Sequence, residues 1–247
     1  MTSKKTIIIT GGSQGIGKAC CALFHANDYQ VINLDIAPNE TPGVDYIQTD
    51  LSQVAAISES FKHIKEKYPR IDALISNAGI HFSASIENTS ERDYFRVLNT
   101  NLTSCFFVLK ETISLMKQNA HGGRIITIGS DQSFVAKNNS AVYGLTKAAI
   151  AQLTKNIALD YAKDHITANC VCPGTIETPL YWQAIRNYCQ KSGADIDTIH
   201  KEEQLLQPAK RLGQPKEVAS LIYYLIDQAG SFLLGSNIAI DGGYTAQ

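Results

Sequence analysis

Tyr143 and Lys147 stand four residues apart in the run Tyr143-Gly144-Leu145-Thr146-Lys147, and Ser130 lies thirteen positions before the tyrosine. On a helix, residues i and i+4 stack on one face, so the ammonium can lie beside the phenol. An ammonium ~4 Å from a phenol, at an effective dielectric of about 20, favours the phenolate by about 4 kcal/mol. That is roughly three pKa units, enough in scale to bring an ordinary phenol of pKa ~10 to neutrality, although desolvation of the phenolate opposes it. A tyrosine so placed is a usable acid or base. With the glycine-rich turn Gly11-Gly12-Ser13-Gln14-Gly15-Ile16-Gly17 near the start of the chain, the pattern points to hydride transfer.

The apolar run Thr6 to Thr10, the glycine turn and a helix-like stretch from Ile16 to Asn27 read as strand, phosphate loop and helix. Backbone N–H groups and the positive end of the helix dipole would then face a pyrophosphate. The spacing is Gly-x3-Gly-x-Gly (Gly11, Gly15, Gly17), so by itself the turn also fits a tight bend that packing requires. Asp35 strengthens the nucleotide reading. It follows the second strand, eighteen residues after Gly17, where a carboxylate can accept the ribose hydroxyls of an adenosine and repel a 2'-phosphate. No Arg or Lys stands at Ser13 or Gln14, nor directly after Asp35, so NAD is expected rather than NADP.

Further strands are expected at Gln30 to Leu34, Tyr46 to Gln48, Ala73 to Ser76, Arg124 to Ile128, Ile166 to Val171 and Ile238 to Ile240. Helices are expected at Val54 to Tyr68, from Tyr143 to about Lys163, at Lys216 to Asp227, and as one long amphipathic element from Ser90 to about Gln118. The stripe of that long element is Tyr94, Val97, Leu98, Leu102, Phe106, Leu109, Ile113 and Met116. Strands alternating with helices require a parallel sheet covered on both faces. The expected fold is α/β, a single-domain doubly wound, Rossmann-like sheet over residues 1–247. The stretch Pro173 to Pro208 breaks the alternation and is too long for a plain connection, so a substrate lid is expected at 177–207.

Hydrophobic residues make up 44% of the 247 and charged residues 18%, with a net charge of -1. Without a basic tract, neither nucleic acid nor an anionic membrane is an expected partner. Apolar runs fall far short of the ~18 to 20 residues that span a bilayer, and Met1-Thr2-Ser3-Lys4-Lys5 leads directly into a strand, so a cytoplasmic location is expected. The six cysteines lack zinc-site spacing and are expected as reduced packing thiols, with no metal.

Taken in order, Thr10-Gly11-x3-Gly15-Ile16-Gly17, Asn77-Ala78-Gly79, Asn101, Ser130, Tyr143-x3-Lys147 and Pro173-Gly174 resemble the motifs of the short-chain dehydrogenase/reductase family. The likeness extends to Arg211-Leu212-Gly213-Gln214-Pro215 and Asp241-Gly242-Gly243, and departs at Ser76, where relatives often carry a second asparagine. The resemblance implies Tyr143 as catalytic acid/base, Lys147 tuning it and holding the nicotinamide ribose, Ser130 polarising the reacting oxygen and Asn101 supporting a proton relay. Ser130 is preferred over Ser133 because it directly follows Ile128-Gly129 at a strand end. The cofactor set it implies adds Gln14 and Ile16 in the glycine turn, Asp50 and Leu51 at the adenine, and Pro173, Gly174, Ile176 and Thr178 at the carboxamide. It also implies a homotetramer acting on a small-molecule substrate.

For that substrate, Ser130-Asp131-Gln132-Ser133 and Cys172 to Leu180 look similar to aldose dehydrogenases, whereas Asp241 to Gln247 resembles 3-hydroxybutyrate dehydrogenases. The latter grip a carboxylate with a glutamine, a histidine, a lysine and a second glutamine; the aligned positions here are His81, Gln132, Ser140 and Ala184. Without a fixed cation, the pocket suits vicinal hydroxyls better than a small carboxylate. A sugar or polyol is expected, with His81, Ser130, Gln132 and Trp182 as candidate substrate contacts. A 3-hydroxy acid or a 3-oxoacyl substrate is the alternative, and a non-catalytic NAD-binding sensor is the alternative of another class.

Overall fold

The computed structural model describes residues 4–247. Seven strands, β1 (Thr6–Thr10), β2 (Gln30–Asp35), β3 (Asp45–Gln48), β4 (Ala73–Ser76), β5 (Gly123–Ile128), β6 (Ile166–Pro173) and β7 (Asn237–Ile240), form one sheet in the order β3-β2-β1-β4-β5-β6-β7. Every pairing is parallel. Successive side chains of a strand face opposite ways. Ile7 and Ile9 therefore pack with Phe24 of α1 (Gly15–Ala26) and Ile222 of α8 (Pro215–Tyr223), while Ile8 packs with Ile57 of α2 (Val54–Lys67), Leu109 and Ile150. Covering both faces is why the central strands read as unbroken apolar runs. The order of connection reverses between β1 and β4, and a crevice opens at their carboxyl ends. The fold is the doubly wound, Rossmann-like α/β unit the sequence implies.

The long helix is not continuous. Ser90 Oγ accepts the Asp93 N–H at 3.1 Å and starts α3 (Glu91–Val97); a π-helical segment covers Leu98–Thr103, and α4 runs over Ser104–Met116. A wider turn shifts the apolar face. Val97, Leu109, Ile113 and Met116 are buried, but Tyr94 and Phe106 of the expected stripe face outward. The helix with Tyr143 is α5 (Ala141–Tyr161), and a second π segment, Tyr224–Gln228, follows α8.

Pro173 to Pro208 is largely helical, holding α6 (Pro179–Ser192) and α7 (Ile196–Leu206). Thr178 caps α6 by accepting the Tyr181 N–H, Pro179 occupies its first turn, and Gly193 ends it at φ +75°. Asp195 caps α7 through Thr198 N–H at 2.9 Å. Five of the six cysteines are buried and all six are free thiols. Among the described residues no helix is long and apolar enough to cross a membrane.

Candidate active site

The glycine turn is shaped for close backbone approach. Gly11 and Gly15 adopt φ of +67° and +54°, and a Cβ on Gly17 would sit 2.0 Å from the Gly11 carbonyl oxygen. Thr10 Oγ1 accepts the N–H groups of Asn77 and Ala78 at 2.9 and 3.0 Å, and Asn77 Nδ2 donates to the carbonyls of Thr10 and Gly11. Those bonds lock the end of β1 to the end of β4. Helix α1 starts with no side-chain cap and no acidic residue in its first turn, which leaves its N-terminus to an outside anion. Such a cradle fits the diphosphate of a dinucleotide.

A cleft of about 250 Å3 opens there, lined by Gly11, Gln14, Gly15, Ile16, Asp35, Asp50, Leu51, Asn77, Ala78, Gly79 and Thr178, and also by Ile36, Thr49, Ile80 and Thr100. Asp35 is 8% exposed. Its two carboxylate oxygens accept the N–H groups of Ser13 and Ala37, each at 2.9 Å. Asp50 is exposed, with Oδ1 committed to Ser52, so only its second oxygen remains uncommitted within its own turn. Thr178 meets the phosphate loop: its methyl would lie 3.3 Å from a Cβ on Gly15. Three of the expected carboxamide residues are not in the lining of that cleft. Pro173 ends β6, Gly174 N–H is taken by the Ile240 carbonyl, and Ile176 lines a smaller cavity of about 140 Å3 with Gln207, Arg211 and Asp241. Strand β7 pairs with the end of β6 there.

The i to i+4 geometry of α5 puts Lys147 Nζ 5.6 Å from the Tyr143 ring centre, while the ammonium donates to the Ile128 carbonyl at 2.8 Å. Lys147 is 5% exposed. Asn101, fully buried in the π segment, accepts Ile80 N–H at 2.8 Å and returns a bond to the Ile80 carbonyl at 3.0 Å. It also donates to Thr146 Oγ1 at 3.3 Å, whose hydroxyl donates to the Tyr143 carbonyl. The His81 ring stands edge-on to Tyr143 with centres 5.1 Å apart. Burial, reinforced by the Lys137 charge, holds that imidazole below its usual range, so it is neutral near pH 7.

Ser130 lies two residues past the end of β5 and is 6% exposed; its Oγ donates to Asp131 Oδ1 at 2.7 Å and accepts Gln132 N–H at 3.2 Å. The Ser133 hydroxyl is engaged with the backbone, accepting Ser130 N–H and donating to the Lys147 carbonyl. Gln132 Oε1 lies beside Gly144, the residue after Tyr143 in α5. Trp182 stacks on His200 at 4.7 Å and joins the small core of Tyr181, Ile185 and Leu212, so its contacts are those of helix packing. Ser76, at the departure from the family pattern, donates to Cys105 Sγ at 3.3 Å.

The sequence reading missed a cation. Lys137 lies 2.6 Å from Asp131 Oδ2 and 4.4 Å from the Tyr244 ring centre, so a fixed ammonium does stand beside the site, already committed to a carboxylate. Glu203 of α7 faces the same group: burial raises its carboxyl, Lys137 lowers it and Asp131 raises it. Lys137 sits in the polar stretch Lys137-Asn138-Asn139, where nothing local distinguishes it from a solvated surface charge.

The family model described as enoyl-(acyl carrier protein) reductase matches residues 11–245. A short chain dehydrogenase family protein from Francisella tularensis is 38% identical, with a TM-score of 0.92 over 99% of this chain and 100% of its own. The aldohexose dehydrogenase of Thermoplasma acidophilum is 33% identical with a TM-score of 0.91, covering 99% of this chain and 95% of that one. D-beta-hydroxybutyrate dehydrogenase of Rhizobium meliloti is 31% identical over 98% of this chain and 99% of its own length. ElxO, solved with NADP bound, is 29% identical with a TM-score of 0.87 over 99% of this chain and 100% of that one. The chain belongs to the short-chain dehydrogenase/reductase family. It is an oxidoreductase of alcohol and carbonyl groups that uses a nicotinamide cofactor.

Proposed function

We propose that the protein exchanges a hydride between NAD(H) and a secondary alcohol or its carbonyl form, with a sugar or polyol as substrate. The observation that carries this reading is that Asn101 ties Ile80, in the lining of the cleft that holds Asp35 and the uncapped α1 N-terminus, to Thr146 of the helix that pairs Tyr143 with Lys147. NAD supplies the hydride acceptor when bound. Gly11, Gln14, Gly15, Ile16 and Gly17 cradle its diphosphate, Asp35 takes the adenosine ribose, and Asp50 and Leu51 flank the adenine. Asn77, Ala78 and Gly79 line the floor, while Pro173, Gly174, Ile176 and Thr178 bound the carboxamide side.

Tyr143 takes the proton from the substrate hydroxyl. Lys147 stabilises the phenolate and binds the nicotinamide ribose, and Ser130 touches the reacting oxygen. Asn101 holds Ile80 and supports a water in the proton path. The segment 177–207 closes as a lid over the substrate, which sits against His81 and Gln132. Because Lys137 is neutralised by Asp131, the pocket offers hydroxyls more than it offers a carboxylate a partner, and this supports a polyhydroxylated substrate over a hydroxy acid. A small polar substrate and a nicotinamide cofactor fit the cytoplasmic location expected from the sequence.

The test is NADH absorbance over a panel of aldoses, polyols, 3-hydroxy acids and 3-oxoacyl thioesters. Turnover is expected with an aldose or polyol, and Tyr143→Phe should abolish it, a fall of at least about 10³-fold, while cofactor binding persists. Turnover confined to hydroxy acids would overturn the substrate class. Binding without turnover by the parent protein would establish a sensor instead.

A further inference from the structure

Asn33 is an amide set among the apolar residues of the sheet. It stands in β2 between its strand partners Ile9 and Tyr46 and is fully buried. Alternation along the strand puts Val31, Asn33 and Asp35 on one face, and Val31 packs there with Cys20 and Phe24 of α1. Burying an amide is unfavourable unless its oxygen and its nitrogen are both bonded. Asn33 Oδ1 accepts Gly12 N–H at 2.9 Å, and Nδ2 donates to Ser13 Oγ at 3.0 Å. These partners fix which end of the amide is which. A backbone N–H only donates, and the Ser13 hydroxyl has given its proton to the Ala37 carbonyl at 2.8 Å, which leaves its oxygen to accept.

From Ser13 the bonds run on to Asp35. Ser13 N–H donates to Asp35 Oδ2, and Ala37 N–H donates to Oδ1. One buried amide therefore grips residues 12 and 13 of the glycine turn, and Ser13 in turn ties that turn to the segment from Asp35 to Ala37. The fit leaves no slack, since a Cβ on Gly12 would lie 2.5 Å from Asn33 Oδ1 and 2.6 Å from Cys21 Sγ. The lining of the cleft includes Gly11, Gln14 and Asp35 but neither Asn33 nor Ser13, so this pair acts from behind the wall.

We propose that Asn33 is a positioning residue for cofactor selection: through Ser13 it holds the Asp35 carboxylate at the adenosine ribose, where it accepts the hydroxyls and repels a 2'-phosphate. This rests on the reading of Asp35 as the ribose-binding carboxylate. Without the amide, Gly12 N–H and Ser13 Oγ lose a fixed partner, the Ser13 N–H no longer points at Asp35, and the carboxylate is free to swing away from a phosphate.

A double-mutant cycle tests it, using N33L, S13A and the double variant of the full chain, with NADH and NADPH as probes. The readout is the dissociation constant of each nucleotide by fluorescence titration, which needs no substrate, and thermal melting reports folding. N33L should weaken NADH by about tenfold or more and NADPH by less than about threefold, because only the former loses an aimed acceptor. S13A, at a half-buried loop position, keeps its N–H and should lower the preference for NADH by at least about threefold; in the N33L background it should change the preference by less than about twofold. Where N33L does not fold, S13A decides alone. Equal weakening of the two nucleotides, as a merely loosened turn would give, overturns the proposal, as does a preference that S13A leaves unchanged. A parent that binds both nucleotides alike would overturn the Asp35 reading and this proposal with it, whereas a discriminating parent with indifferent variants overturns this proposal alone.

Discussion

Asp35 is set in place before any nucleotide arrives. Ser13 N–H and Ala37 N–H hold one oxygen each, so the carboxylate cannot swing away from a ligand in the crevice. A fixed acceptor loses little entropy on binding a ribose, and a fixed charge cannot avoid a 2'-phosphate. We therefore expect Asp35→Ala to reduce the ratio of kcat/KM with NAD to that with NADP by at least about tenfold. Equal use of both cofactors by the parent would refute this assignment of the carboxylate. The residue scale is also where the sequence read well, because Tyr143 and Lys147 depend only on the helical period and Gly17 on a contact six residues away. Lys137 depends on neither: its partners Asp131 and Tyr244 meet it only after the chain has closed.

At the scale of elements, the π segment over Leu98–Thr103 shows where periodicity misleads. A run with helical spacing predicts one rod, but Asn101 gains two bonds to Ile80 if the helix widens there, and burying its amide without them would cost a few kcal/mol. Helices α6 and α7 err the other way, since Thr178-Pro179, Gly193 and Asp195 are cap signals that the sequence displays plainly. A third tie joins distant elements: Asp227, after α8, accepts from Tyr29 at 2.6 Å before β2, from Tyr223 at 3.3 Å and from Lys5 at 3.0 Å at the start of β1. The Tyr29 bond, ahead of Lys5, holds its carboxyl below the usual carboxylate range. A depressed folded pKa gives stability that is present above the unfolded value near ~4 and lost as pH falls through the folded one. Asp227→Ala should thus cost about 1 to 3 kcal/mol at neutral pH, a Tm drop of roughly 2 to 12 °C, and the gap from the parent should close below about pH 4. A gap that stays constant down to pH 3 would show that the charge is not the cause.

For the whole molecule, Phe95 and Phe106 on α3 and α4, and Leu145 and Leu159 on α5, are each about half exposed or more. Large apolar side chains grouped on neighbouring helices mark a surface suited to burial, and they support the homotetramer that the family likeness implies. Sedimentation velocity should give a species near four times the 27.0 kDa chain mass; a monomer at micromolar concentration would dismiss it. By itself the sequence determined the parallel doubly wound sheet, the glycine-rich turn between β1 and α1 and the pairing of Tyr143 with Lys147. Each follows from short-range sterics and from a periodicity that must bury both faces of a sheet. Only the tertiary structure decided that Asn101 bonds to Ile80 from a widened helix, that the Ser133 hydroxyl meets the Lys147 carbonyl, and that Lys137 pairs with Asp131. Those placements join residues dozens of positions apart, and the energy that selects among them, desolvation offset by a specific partner, exists only once the partner has been brought into reach.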